Sequence, residues 1–295
     1  MIKTVSTAQQ AMNLRLAVIR QKAGMEKASM EMATGLKQDV FADGGTSPSR
    51  SMELRAQKTA NDAYRMSNQS LAAKMEVTVL SLDEIRKVTG DFKNLLISGD
   101  IASMNRSTLQ DAAGNVMQAL VSTLNGTYNG EYLFSGTQTD QRPLEIGPDN
   151  VVTYGGGTEN VTNRIDDDTV LSHGIRADHP AFAEIFDALS TIMNTDLDAI
   201  VDFTSFQRAT AEAISAAEVE VVAMQAKLGD SQARLDRVIT RQNDMSRIFT
   251  SSILDIEGVK PEEAAIRVEA MSNQLQSTFA VTARMSQLSF LNFIR

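Results

Sequence analysis

The chain has 295 residues, a formal net charge of −9 and a pI near 4.9, so it lacks the cationic excess by which nucleic-acid and anionic-membrane binders neutralise phosphate. It contains no cysteine, which excludes a disulfide framework, a thiolate zinc site and a cysteine nucleophile. Without tryptophan, and with four tyrosines against 15 methionines, the core is of a kind suited to long helices built on Ala, Leu and Met.

The first predicted element is an N-terminal helix with Met12, Leu16, Ile19, Ala23, Met30 and Ala33 on one seam, interrupted by Glu26. This segment has no apolar run of roughly 7–15 residues with a cleavage site, so a cleaved general-secretory signal is not expected. The stretch "TGLKQDVFADGGTSPS" (34–49) breaks the helix with glycines, a proline and turn residues. A second helix follows on Leu71, Met75, Thr78, Leu82, Ile85, Thr89, Phe92 and Leu96, spaced alternately by three and four. "SGD" (98–100), with Ser103 and Asn105, separates it from a third, on Leu109, Ala113, Val116, Leu120 and Leu124.

Residues 136–179 change texture. They are rich in glycine and turn residues, and the short runs "NVVTY" and "DTVL" predict strands in a small β-rich insert. A short helix is expected from Pro180 to Met193. Next comes the longest pattern: Ile214, Ala217, Val221, Met224, Leu228, Ser231, Leu235, Val238, Gln242, Met245, Phe249, Ser252 and Ile256. Ten of these thirteen are apolar, which predicts a helix packed along another for about six heptads. "DIEGVKPEEAA" (255–265) breaks it, with Pro261 at a first helical turn and Glu262 and Glu263 placed favourably for the helix dipole. The last helix carries Ala264, Val268, Met271, Leu275 and Phe279, then the apolar stretch "ARMSQLSFLNFIR". No run approaches ~18 consecutive apolar residues, so no membrane-spanning helix is expected.

The fold class predicted is mainly α: a nested antiparallel bundle or coiled coil of long helices, with paired terminal helices and a small β-rich insert. The expected divisions are 1–47 with 257–295 as the terminal pair, 48–135 with 180–256 as the long-helix rod, and 136–179 as the insert. The terminal pair alone has little core, so it is expected to become firm only against copies of itself or neighbours.

Motifs with possible chemistry fail on spacing. His173 and His179 sit six apart in "SHGIRADHP" without helical register, and read as ordinary surface histidines. "DDD" (166–168) lacks the central glycine and closing glutamate of a calcium loop, and reads as a solvated turn. "YGGGT" (154–158) has no following Lys-Ser or Lys-Thr and reads as a loose turn. Asn125-Gly-Thr and Asn160-Val-Thr match a glycosylation pattern too short to carry weight, and no Gly-x-Ser-x-Gly elbow occurs. No catalytic, metal or cofactor site is predicted, and the chain is not expected to be an enzyme.

Four stretches carry a family resemblance. "NGEYLFSGTQTDQRPL" (129–144) and "LSFLNFIR" (288–295) resemble the family of hook–filament junction proteins of bacterial flagella, the third hook-associated proteins. "EMATGLKQDV" (31–40) and "GDSQARLDR" (229–237) are similar to segments of flagellins and their relatives. After "TGLKQDV" the chain departs from the family's Pro-Ser-Asp-Asp-Pro-like turn and reads "FADGGTSPSRSMELRAQ". The resemblance implies a secreted structural subunit, exported unfolded without a cleaved signal. It implies a ring-like homo-oligomer, neighbouring hook-associated proteins on the hook and filament sides, and an export chaperone; nucleic acid and membrane are not expected partners. On this reading Met12, Leu16, Ile19, Leu275, Phe279, Leu288, Phe290, Leu291 and Phe293 are the expected assembly interface. The alternatives are a flagellin, a flagellin-like surface protein, and a cytosolic coiled-coil adaptor.

Overall fold

In the computed structural model the described backbone covers residues 2–40, 47–98 and 106–293, with side chains described except at 2–8, 10, 11, 47 and 285–293. Among the described residues the α-helices are α1 (Ile2–Thr34), α2 (Ser47–Ile97), α3 (Arg106–Leu124), α4 (Pro180–Asn194), α5 (Phe203–Glu257) and α6 (Pro261–Phe293). Six short strands lie between α3 and α4: β1 (Thr127–Tyr128), β2 (Glu131–Tyr132), β3 (Leu144–Ile146), β4 (Val152–Tyr154), β5 (Thr162–Asp166) and β6 (Thr169–Ser172). The fold is mainly α, as the periodicity predicts. Parts of the breaks predicted at 34–49 and 98–105 lie outside the described residues.

The chain divides into two compact units, residues 62–243 and residues 1–61 with 244–295. In the first, all eight seam positions of α2 from Leu71 to Leu96 are buried. On α3, Leu109, Ala113, Leu120 and Leu124 are buried, joined by Met117. α4 adds Phe182, Ile185, Phe186, Leu189 and Ile192, and α5 adds Ile214, Ala217, Val221, Met224, Leu228 and Leu235. α2 and α5 run antiparallel here, with Lys93 paired to Glu218 at one end and Asn68 bonded to Gln242 at the other. His179 caps α4 by accepting from the Ala181 N–H at 3.3 Å, and Pro180 occupies the first turn, where its missing N–H costs nothing.

The heptad pattern of α5 holds to Gln242 and then drifts. Met245 is exposed, while Ile253 and Glu257 are buried instead of the predicted Ser252 and Ile256. The straight α-helix has 3.6 residues per turn, so a seam of period 3.5 moves round its surface unless the partner follows it.

The strands form three separate antiparallel hairpins, β1–β2, β3–β4 and β5–β6, rather than one sheet. The first begins at Thr127, before the predicted insert. Its two-residue turn is Asn129-Gly130 with φ of 52° and 83°, the left-handed pair that matches strand twist in a tight hairpin. In the third, Ile165 is buried and its carbonyl accepts from the amides of Asn68 (2.8 Å) and Gln242 (3.0 Å). This fastens the hairpin across both long helices.

Candidate assembly face

α1 and α6 pair along the termini. α1 turns its narrow side to α6: Gln21 accepts from the Thr278 hydroxyl at 3.1 Å, Gly24 lies against Met271, Ala28 is buried, and Glu31 meets Arg267 at 3.4 Å. These positions follow each other by three and four residues, so they form one stripe. On α6 the predicted seam is the one used, with Ala264 and Leu275 buried and Val268 and Met271 half-buried.

The predicted seam of α1 is somewhere else. Met12, Leu16, Ile19, Ala23 and Met30 lie about half a turn round the helix from the α6-facing stripe. All are exposed: Met12 63%, Leu16 44%, Ile19 59% and Met30 58%. Phe279 of α6 is also 56% exposed. Arg15, Arg20, Lys22 and Lys27 flank the stripe and are solvated. Of the nine residues expected at an interface, Leu275 is therefore buried within the chain, and Met12, Leu16, Ile19 and Phe279 face outward. The side chains of Leu288, Phe290, Leu291 and Phe293 lie outside the described residues.

The helix ends of this unit meet at a polar junction that the sequence did not signal. Gly35, with φ 68°, stops α1. Leu36 and Gly258 then form an antiparallel bridge, in which the Lys37 N–H donates to the Glu257 carbonyl (2.7 Å) and the Val259 N–H to the Gly35 carbonyl (2.9 Å). The Glu257 carboxylate is buried and accepts from the Ser51 hydroxyl and from both Arg55 Nε (2.9 Å) and Nη2. These donors hold its pKa below the ordinary carboxylate value, the Arg55 hydrogen bond contributing most and burial opposing it. Glu31, also buried, accepts from the Gln38 N–H at 3.3 Å besides its contact with Arg267. A single glutamate at a helix end has no periodic signature, which is why the pattern missed both.

The remaining motifs have structural tasks. His173 is a half-buried residue, not a surface one: its Nε2 bonds Asn163 at 2.8 Å, and burial lowers its pKa to about 4. His179 is the α4 cap. "DDD" makes the β5–β6 turn, with Asp166 paired to Arg241. "YGGGT" is tighter than predicted. Gly157 is buried, its N–H donates to the Ser135 carbonyl at 2.7 Å, and a Cβ there would fall 2.5 Å from Thr137 Oγ1. Asn125 spends its carboxamide on both backbone groups of Leu144, at 3.0 Å each. Among the described residues no group of three His, Asp or Glu could hold a metal, and no helix is long and apolar enough to cross a membrane.

A flagellar hook-associated protein, so proposed, from Vibrio parahaemolyticus superposes with a TM-score of 0.63 at 14% identity, over 73% of this chain and 99% of that one. At that identity the likeness speaks for the fold. Flagellar hook-associated protein 3 of Legionella pneumophila aligns at 12% identity with a TM-score of 0.49, over 71% of this chain and 98% of that one. No curated protein sequence matches. The family model of the bacterial flagellin N-terminal helical region matches residues 5–139, and that of the C-terminal helical region matches 211–294, well over half the chain between them. The chain belongs to the bacterial flagellin family.

Proposed function

We propose that this chain is a structural subunit of the bacterial flagellum that joins hook to filament, and that it assembles with copies of itself through α1. The observation that carries this reading is the two-sided character of α1. One stripe, of small and polar residues, serves α6 of the same chain, and the opposite stripe, of Met12, Leu16 and Ile19, is left for another molecule. A family whose members build tubes supplies the partner: another copy, and at the ends of the ring the hook-associated proteins on either side. Phe279, Leu288, Phe290, Leu291 and Phe293 extend the same interface on α6. The subunit works outside the cell, reaches its place by flagellar export without a cleaved signal and with a chaperone, and catalyses nothing.

The test is deletion of the gene and inspection of the cells. Hooks without filaments, with flagellin spilled into the medium, are expected; normal filaments would refute the assignment. The family also contains filament subunits, and the matching family models describe flagellin. Seeded polymerisation separates the two: long filaments from the purified protein alone indicate a flagellin, and growth that stops at short rings or caps indicates a junction subunit.

A further inference from the structure

The polar junction of α1, α2, α5 and α6 joins elements that no continuous helix connects. α1 ends at Gly35 and α6 begins at Pro261, so the terminal pair is tied to the neighbouring ends of α2 and α5 by two linkers. Among the described residues, a short bridge and two buried carboxylates, Glu31 and Glu257, fasten those linkers. Glu257 is the last residue of α5, where the helix dipole disfavours a negative charge. It stays ionised there because Ser51 and Arg55, one turn apart on α2, both donate to it. Its own backbone carbonyl takes the Lys37 N–H, so the residue that receives α2 also holds the linker leaving α1. Gly258 completes the join. A Cβ there would collide with the Leu254 carbonyl, so the backbone turns more sharply than a residue with a side chain permits.

We propose that this junction is a charge-fastened latch: ionised Glu257 fixes how the α1–α6 pair is held on the ends of α2 and α5, and neutralising it frees the pair while leaving each helix intact. The latch stands on this unit alone, whatever structure the subunit joins. Arg55 faces Glu257 from α2, and the Arg50–Glu53 pair lies beside it on the same helix in solvent. On the α6 side, Lys260 pairs with Glu263 and Arg267 with Glu31. Lys37 approaches Glu257 through its backbone. Donors to the ionised form depress the folded pKa of Glu257, so the fastening is complete above the ordinary carboxylate range and is lost as pH falls through the depressed folded value.

A chain without cysteine allows a clean distance measurement. Spin labels at Glu26→Cys on α1 and Glu53→Cys on α2, both exposed in the native chain, report the hold directly. In the otherwise native protein at neutral pH a single narrow distance population is expected. Adding Glu257→Gln should replace it by a broad one at the same pH, with helix content unchanged by circular dichroism. Acidifying the parent through the depressed value of Glu257 should produce the same broadening. A narrow population in the variant overturns the latch. So does loss of helix content in the variant, because the proposal requires the helices to survive.

Discussion

Replacing Leu16 and Ile19 by alanine tests the outward stripe of α1 with the least disturbance to the chain itself. Full burial of an aliphatic side chain is worth about 1.5–3 kcal/mol. Leu16 is 44% exposed and Ile19 59%, so about half of that gain is still unrealised in the isolated chain. For the two residues together this amounts to roughly 1.5–3 kcal/mol per subunit contact, or a tenfold to hundredfold loss of subunit affinity. The stability of the monomer should change little, within about 0.5 kcal/mol, because neither side chain is on the stripe that meets α6 and alanine keeps helix propensity. The assay is paired: urea unfolding of the monomer, and the protein concentration at which light scattering reports seeded assembly. A raised critical concentration with an unchanged urea midpoint is expected. An unchanged critical concentration would mean that α1 does not carry the interface. A large drop in monomer stability would mean that the stripe is already partnered within the chain.

Two further outcomes follow from the larger unit. Asn68→Ala and Gln242→Ala should each cost about 1–3 kcal/mol in urea unfolding, since each strands part of a buried polar trio around the Ile165 carbonyl. The double variant should cost less than the sum, because the two amides share that acceptor and bond each other; strict additivity would show that they do not act together. His173 has a folded pKa lowered from 6.5 to about 4, so the unfolded chain takes up its proton first as pH falls. Its contribution to stability is therefore full at neutral pH and declines between about 6.5 and 4. A nuclear magnetic resonance titration should find the ring neutral at pH values where a free histidine is charged, and titration at the ordinary value would contradict its burial against Asn163.

Periodicity alone was enough for the helices. α2 is the plainest case: every position chosen by three-and-four spacing from Leu71 to Leu96 is buried, including Thr78 and Thr89, whose hydroxyls bond back to their own helix. Gln242 had a legible signal too. A polar residue on an apolar seam asks for a buried partner, and Asn68, three residues before Leu71, lies on the extension of the facing seam. The hairpin at Asn129-Gly130 is legible in its turn residues, and it precedes the predicted insert of 136–179.

What the sequence by itself determined is where each apolar stripe runs, because helix geometry converts spacing into a face. It could not say what each face meets. The stripe of Met12, Leu16 and Ile19 has the same pattern as the seam of α2, yet one is solvated and the other is buried. Only tertiary packing decided this: α6 approaches α1 where Gly24 and Ala28 leave room for close contact, and the bulkier stripe is left outside. The carboxylates of Glu31 and Glu257 belong to the same class of fact. Their roles come from partners distant in the chain, such as Arg55 for Glu257 and Arg267 for Glu31, and no local pattern encodes a contact made across two hundred residues.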